Sequence, residues 1–359
     1  MSQLITGIQQ VGIGVENLDV AWRWYRKYFG MDVPVFQETG EAELMSRYTG
    51  GSPARRTAVL AANMQGGGAF EVWQYEDRQP QPPRHKLLVG DLGINIVCLK
   101  SSDINASFDF HRAAGITVSD SVVTDPAGKS VYEVKDTFGN LFRVEASKEI
   151  FLRTKQVTGG ISSVVIGVSD IDKTIDLYKK VLGYSRVVYE STGKFDYLSH
   201  LPGGNGEFRC IKLSHGMPGT GSLGRFIGAT SIELLQALDR APARIYEKRF
   251  WGDLGFMHVC FDIYGMDKLK AFSENSGFPF TVDSGDTFNM GKAQGRFAYT
   301  EDADGTLVEM VETFKMPLIK KIGLYLDLTK RNPAKPLPDW MLKTLRFSRI
   351  RDKDQVIDF

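Results

Sequence analysis

The side chains able to do chemistry are few and scattered. Cys98, Cys210 and Cys260 are odd in number and far apart, which argues against a disulfide framework or a zinc–thiolate cluster. Among the histidines, His85, His111, His200 and His215 show no ligand spacing; His111 falls on an expected helix, and His200 and His215 flank expected strands. His258 sits inside the alternating apolar run GDLGFMHVCF that begins at Gly252, where an imidazole is either a packed polar group or a ligand. Carboxylates stand in similar apolar runs: Glu71 in AFEVWQ, Glu233 in SIELLQ, and Glu309 after the turn at Gly305. Gly219–Gly224 reads GTGSLG, a formal GxGxxG, but a dinucleotide fingerprint needs a strand before it and a helix after. Here Arg225–Leu235 reads as a strand, so the segment is taken as a loop, and PGGNG (Pro202–Gly206) as a turn. Asn105-Ala-Ser would accept a glycan only in a secreted protein, and Lys315–Lys321 reads as a solvated basic face.

The elements that must position these residues repeat. Gly7–Met31 (GIQQVGIGVENLDVAWRWYRKYFGM) aligns without a gap to Gly160–Tyr184 (GISSVVIGVSDIDKTIDLYKKVLGY). The two share Ile8/Ile161, Val11/Val164, Ile13/Ile166, Gly14/Gly167, Val15/Val168, Tyr25/Tyr178 and Gly30/Gly183. GDLGINIVCL from Gly90 answers GDLGFMHVCF from Gly252, and DTFGNLFRVE from Asp136 answers DADGTLVEMV from Asp302 with one residue of slip. Each unit opens with period-2 alternation, the mark of a half-buried strand. A helix follows, with Trp22, Tyr25 and Phe29 on one face, Asn17 or Asp170 at its N-cap, and Gly30 or Gly183 past its end. Three more strands close the unit, the last introduced by a turn at Gly139 or Gly305. The units fall at 5–78, 88–148, 158–240 and 250–314, with a polar, proline-bearing linker at Asp77–Arg84. This gives an N-terminal domain (1–150), a C-terminal domain (151–314) and an extension (315–359) with a proline-rich bend (Asn332–Pro338) and a short helix at Asp339–Phe347.

Bulk properties narrow the partners. The chain has 359 residues, enough for about two domains, and is 42% hydrophobic with a formal charge of +1. No global field favours nucleic acid or an acidic membrane surface. No apolar stretch approaches the roughly 20 residues that span a bilayer. The opening MSQLITGIQQVGIGV lacks a basic leader and runs straight into a strand, so no signal peptide is expected. A soluble cytoplasmic protein is the expectation.

The Ile-x-x-Val-x-Ile-x-Val strand, the helix ending in Tyr-x-x-x-x-Gly, the fourth-strand Glu and the Asp-x-x-Gly ending together resemble the vicinal oxygen chelate superfamily over roughly residues 5–314. Its members include glyoxalase I, methylmalonyl-CoA epimerase, extradiol dioxygenases and antibiotic-resistance proteins. The resemblance implies an α+β fold of four βαβββ modules forming two cupped mixed β-sheets. It also implies metal ligands on the first and last strand of each module: Gln10 and Glu71, Ile96 and Arg143, Ser163 and Glu233, His258 and Glu309. Pairing neighbours would put Ile96 and Arg143 beside Gln10 and Glu71, and leave Ser163, Glu233, His258 and Glu309 as a poorer set. Pairing the first unit with the fourth collects Gln10, Glu71, His258 and Glu309, and leaves one dead site where Glu233 pairs with Arg143.

The crossed arrangement is the expectation. The Gln/Glu/His/Glu set, one of those seen in glyoxalase I, implies one divalent ion (Zn, Ni, Mn or Fe). Strand parity would place Gly12, Trp73, Phe256 and Cys260 around the substrate. The implied activity is a metal-dependent lyase or isomerase working through an enediolate-type intermediate, with Glu309 as base and Glu71 as the second candidate. An Fe(II) ring-cleaving dioxygenase is the alternative, although Gln10 stands where a second histidine would be. A metal-free binding or resistance protein is the third reading. Four modules in one chain allow a monomer as well as a homodimer.

Overall fold

The computed structural model describes residues 4–285, 288–290, 293–319 and 323–350. Lys320 and Lys321 of the basic run, and the tail after 350, lie outside them.

The first unit comprises β1 (Leu4–Gly14), α1 (Leu18–Phe29), β2 (Val33–Glu41), β3 (Arg55–Ala62) and β4 (Ala69–Tyr75). The second has β5 (Gly93–Ser101), α2 (Ile104–Ala113), β6 (Thr117–Val118), β7 (Val123–Thr124), β8 (Ser130–Lys135) and β9 (Leu141–Ala146). The third has β10 (Ile161–Gly167), α3 (Ile171–Asp176), β11 (Arg186–Gly193), α4 (Asp196–Ser199), β12 (Phe208–Ser214), α5 (Gly224–Ile227) and β13 (Ser231–Ala237). The fourth has β14 (Gly255–Tyr264), α6 (Met266–Asn275), β15 (Val282–Asp283), β16 (Phe288–Met290), β17 (Ala293–Glu301) and β18 (Leu307–Ile319). The extension adds β19 (Leu324–Asp327) and α7 (Asp339–Lys343), which tightens into a 3-10 turn over Thr344–Ser348.

The strands form two curled mixed sheets. One runs β15-β17-β18-β14-β1-β4-β3-β2, the other β11-β12-β13-β10-β5-β9-β8-β6. The first and fourth units therefore share a sheet across the antiparallel β1–β14 pair, and the second and third across β10–β5. Two repeated glycines show why this junction is tight. A Cβ at Gly14 would lie 2.1 Å from the Asp253 carbonyl oxygen, and one at Gly167 would lie 1.9 Å from that of Asp91. Each GDLG turn thus lies directly on the glycine of its cross-paired partner, where no side chain fits.

Asn17 Oδ1 accepts from the Val20 amide at 3.0 Å, and Gly30 closes α1 with φ of 65°. The helix buries Trp22, Tyr25 and Phe29 in the main core between the sheets. The repeated tyrosines tie one sheet to the other. Tyr25 donates to Asp136 of the second unit at 2.7 Å, and Tyr178 donates to Asp302 of the fourth at 3.2 Å.

One expectation fails. The segment after GTGSLG is not a strand from Arg225; it makes the single turn α5, and β13 starts at Ser231. Gly228, at φ of 72°, breaks the extended run, and Phe226 and Ile227 turn inward to bury their side chains. No helix among the described residues is long and apolar enough to cross a membrane.

Candidate functional site

Four adjacent strands, β18-β14-β1-β4, bring Glu309, His258, Gln10 and Glu71 to one concave face. In the register, Gly12 of β1 stands opposite both His258 on β14 and Glu71 on β4, while Cys260 stands opposite Glu309. A Cβ at Gly12 would sit 2.3 Å from His258 Cε1, so the imidazole lies over β1 only because residue 12 is glycine.

The donor atoms form a closed group. His258 Nε2 is 3.2 Å from Glu71 Oε2 and 3.1 Å from Glu309 Oε2. The Gln10 amide nitrogen donates to the same two oxygens at 3.3 Å each. His258 is fully buried, yet its Nε2 is aligned for a hydrogen bond with neither carboxylate. A ring that comes this close to two acceptors and points at neither is aimed at a point between them. On the other side of the ring, Trp251 Nε1 donates to His258 Nδ1 at 3.2 Å. That bond puts the proton of a neutral ring on Nε2. Burial alone would push the His258 pKa down, but the Glu309 and Glu71 carboxylates reverse this and hold it at about 9. Burial and the same carboxylates keep the Tyr299 phenol and the Cys260 thiol protonated.

The group lies at the floor of a cavity of about 520 Å³, onto which Gln9, Gln10, Glu71, Trp251, Tyr299 and Glu309 open. That volume falls within the usual range for small-molecule sites. Among the described residues, Glu71, His258 and Glu309 form the cluster of acidic and imidazole donors able to hold a metal ion, their donor atoms all within 4.8 Å.

The four residues expected to face a substrate do not line this cavity. Gly12 lies beneath the His258 ring. Trp73 is fully buried and packs edge-on to Trp251, with ring centroids 4.9 Å apart. Cys260 is buried, its Sγ 3.8 Å from Gln9 Oε1. Phe256 is turned to the opposite face of the sheet. The register shifts between Gly12/His258 and Ile13/Phe256, and this irregularity breaks strict alternation. Phe256 consequently packs against Phe142 in the main core, while Met257 joins the apolar cluster of the cup.

Sequence reading missed Tyr299 and Trp251. Tyr299 pairs in register with Glu309 on β17, a strand to which first-and-last-strand reasoning assigns no ligand. Trp251 immediately precedes the repeated GDLG motif, where the first half of the chain has Val89, and that contrast was the available signal.

The other cup holds a buried ion pair in place of ligands. Arg143 Nη1 is 3.7 Å from Glu233 Oε2, and its Nε donates to Glu133 at 2.8 Å. Tyr197 donates to Glu233 at 2.7 Å and lies under the guanidinium. Ile96, Ser163, Arg143 and Glu233 are all fully buried, as an internal ion pair requires.

Curled sheets built from paired βαβββ units, with a polar group at the floor of one cup, define a glyoxalase-fold protein. The chain belongs to the Glyoxalase/Bleomycin resistance protein/Dioxygenase superfamily, whose sequence profile matches residues 7–144 and 160–310. Among solved structures it is similar to glyoxalase I from Zea mays, at 12% identity and a TM-score of 0.55, over 87% of this chain and 92% of that one. It is also similar to a provisionally assigned dioxygenase from Bacillus subtilis, at 10% identity and a TM-score of 0.56, over 86% of this chain and 85% of that one. At these identities the likeness is one of fold. No curated protein sequence matches the chain.

Proposed function

We propose that the chain is a metal-dependent lyase or isomerase of the glyoxalase type, acting on a small oxygenated substrate, with a divalent ion held by Gln10, Glu71, His258 and Glu309. The observation that carries this reading is the spacing of the donors. Around a first-row divalent ion with bonds of roughly 2.0–2.2 Å, neighbouring donors stand roughly 2.9–3.5 Å apart. The four contacts here measure 3.1 to 3.3 Å and link four donor atoms, one of them a buried ring nitrogen that lacks a hydrogen-bonding partner. Exchanging the amide oxygen and nitrogen of Gln10, an assignment set by hydrogen bonding alone, supplies the third oxygen donor and the fourth ligand. One imidazole and three oxygens suit Zn, Ni, Mn or Fe.

When bound, such an ion would polarise two adjacent substrate oxygens and lower the cost of removing a proton beside a carbonyl. Glu309 takes that proton and returns it, since its carboxylate opens onto the cavity beside Tyr299. Tyr299, held as a phenol, remains a hydrogen-bond donor toward Glu309 and fixes its orientation. Glu71, on the opposite strand of the group, is the second candidate base. A ring-cleaving oxygenase ordinarily offers two histidines and a carboxylate. This floor offers one histidine and two carboxylates.

One observation favours a metal-free binding protein. The indole N–H of Trp251 faces Nδ1, whereas a ligating histidine normally carries a proton there and donates it to an acceptor. Ligation through Nε2 therefore requires the Trp251 contact to give way. Elemental analysis of freshly purified protein decides between the readings. The expectation is close to one divalent ion per chain, absent in His258→Ala, weakened in Gln10→Ala and held at least as tightly in Trp251→Phe. A wild type that takes up no ion even on reconstitution would establish the binding-protein reading instead.

A further inference from the structure

Part of the wall above the donor group comes from chain beyond residue 310, where the family match ends. After β19 the chain crosses the mouth of the cup as a strap tied at both ends. The Leu337 amide donates to the Ser222 carbonyl at 3.0 Å, and Arg225 forms a two-pronged ion pair with Asp339. At the far end Arg349 pairs with Asp32 at 2.7 Å, and the Ile350 amide donates to the Asp32 carbonyl at 2.9 Å. Between these ties Leu342 and Leu345, one helical turn apart, point inward and are buried with Phe36, Leu60, Phe226 and Met316.

The cavity is thus polar at its floor and apolar beneath the strap, where Phe36, Leu60, Phe226, Met316, Leu342 and Leu345 line it. Among the described residues, Glu41 and Glu43 also open onto it, beside Lys315 and Arg56, and Arg56 already bonds to Glu38 at 2.6 Å. A substrate bearing several carboxylates would meet those two carboxylates with one of the two cations already engaged.

We propose that the substrate carries a bulky apolar body on its oxygen-bearing end, and that Leu342 and Leu345 of the strap select that body. The oxygen-bearing end rests on the metal site proposed above; the apolar end does not. Calorimetric titration of the full-length, metal-reconstituted protein tests it with 2,3-dihydroxynaphthalene and catechol, which share the oxygen pair and differ in the ring body. The naphthalenediol should bind about tenfold more tightly, the order expected from the additional buried ring carbons. In Leu342→Ala/Leu345→Ala the gap should shrink to about threefold or less, with bound metal unchanged. The single variant Leu345→Ala, at the better exposed of the two positions, serves if the double variant does not fold, and should narrow the gap partway. Equal binding of the two diols, a gap that ignores the strap, or competition by glutathione, a tripeptide with two carboxylates, would overturn the proposal. Repeating the comparison with 2-naphthol and phenol on chelator-treated protein separates the two readings. Preference for 2-naphthol without any metal uptake sinks the lyase reading alone, and metal uptake without that preference sinks this one alone.

Discussion

At the floor of the cup, β1 presents only a hydrogen atom at position 12, and the His258 ring occupies the space that a methyl group would need. Gly12→Ala should displace the ring and lower metal affinity by at least about tenfold while leaving the fold intact, since metal sites tolerate little error in ligand position; binding titrations and circular dichroism would read this. Affinity unchanged in a folded Gly12→Ala protein would show that the ring does not need this space. The protonation of His258 makes a second prediction. Its pKa rises from 6.5 in the free residue to about 9 between the two carboxylates. In metal-free protein the stabilisation from this charge is therefore complete below about pH 6.5 and is lost as pH rises through about 9. Thermal melts of chelator-treated protein should show that loss relative to His258→Asn. Metal affinity should move the opposite way and increase across the same window, because ligation expels the Nε2 proton. A pH-independent metal affinity between those limits would contradict the pairing of His258 with Glu71 and Glu309.

At the scale of elements, periodicity and caps located the strands and α1 because those signals are local: Asn17 and Gly30 act within one turn of the residues they cap. Alternation failed at Phe256, where the register irregularity in β14 depends on how that strand pairs with β1 some 240 positions earlier. The four grouped polar residues were legible because the family resemblance points to the first and last strand of each unit, and each of them stands at such a position. The strap over the cavity was legible only as a short helix, since Asp339–Phe347 carries no sign of the surface it will cover. The helix-to-turn link between sheets is testable. Tyr25→Phe removes a buried 2.7 Å hydrogen bond and leaves Asp136 with one donor fewer, which should cost about 1–3 kcal/mol in denaturant unfolding. No loss of stability would mean that another donor reaches Asp136.

Across the whole molecule, each sheet takes one unit from residues 1–150 and one from 151–314. A fragment ending at residue 150 would retain Gln10 and Glu71 but lack His258 and Glu309, and β1 would lose its neighbour β14. Produced alone, it should bind no metal and self-associate through the open β1 edge; co-expression with residues 151–359 should restore both solubility and metal uptake. Light scattering and elemental analysis would check this. A monodisperse, metal-binding fragment would place the site within one half.

The sequence alone determined the four βαβββ units, the caps of their first helices, and the four polar residues set into apolar strands. Each of these is written in periodicity, in capping chemistry or in the comparison of one repeat with another, and so needs no knowledge of distant contacts. Tertiary structure alone decided which face Phe256 takes, that Trp251 meets His258 and Tyr299 stands beside Glu309, and that a strap beyond residue 310 roofs the cavity. These features arise where segments far apart in sequence are pressed together, and sterics and hydrogen bonding settle them only once the two sheets have closed.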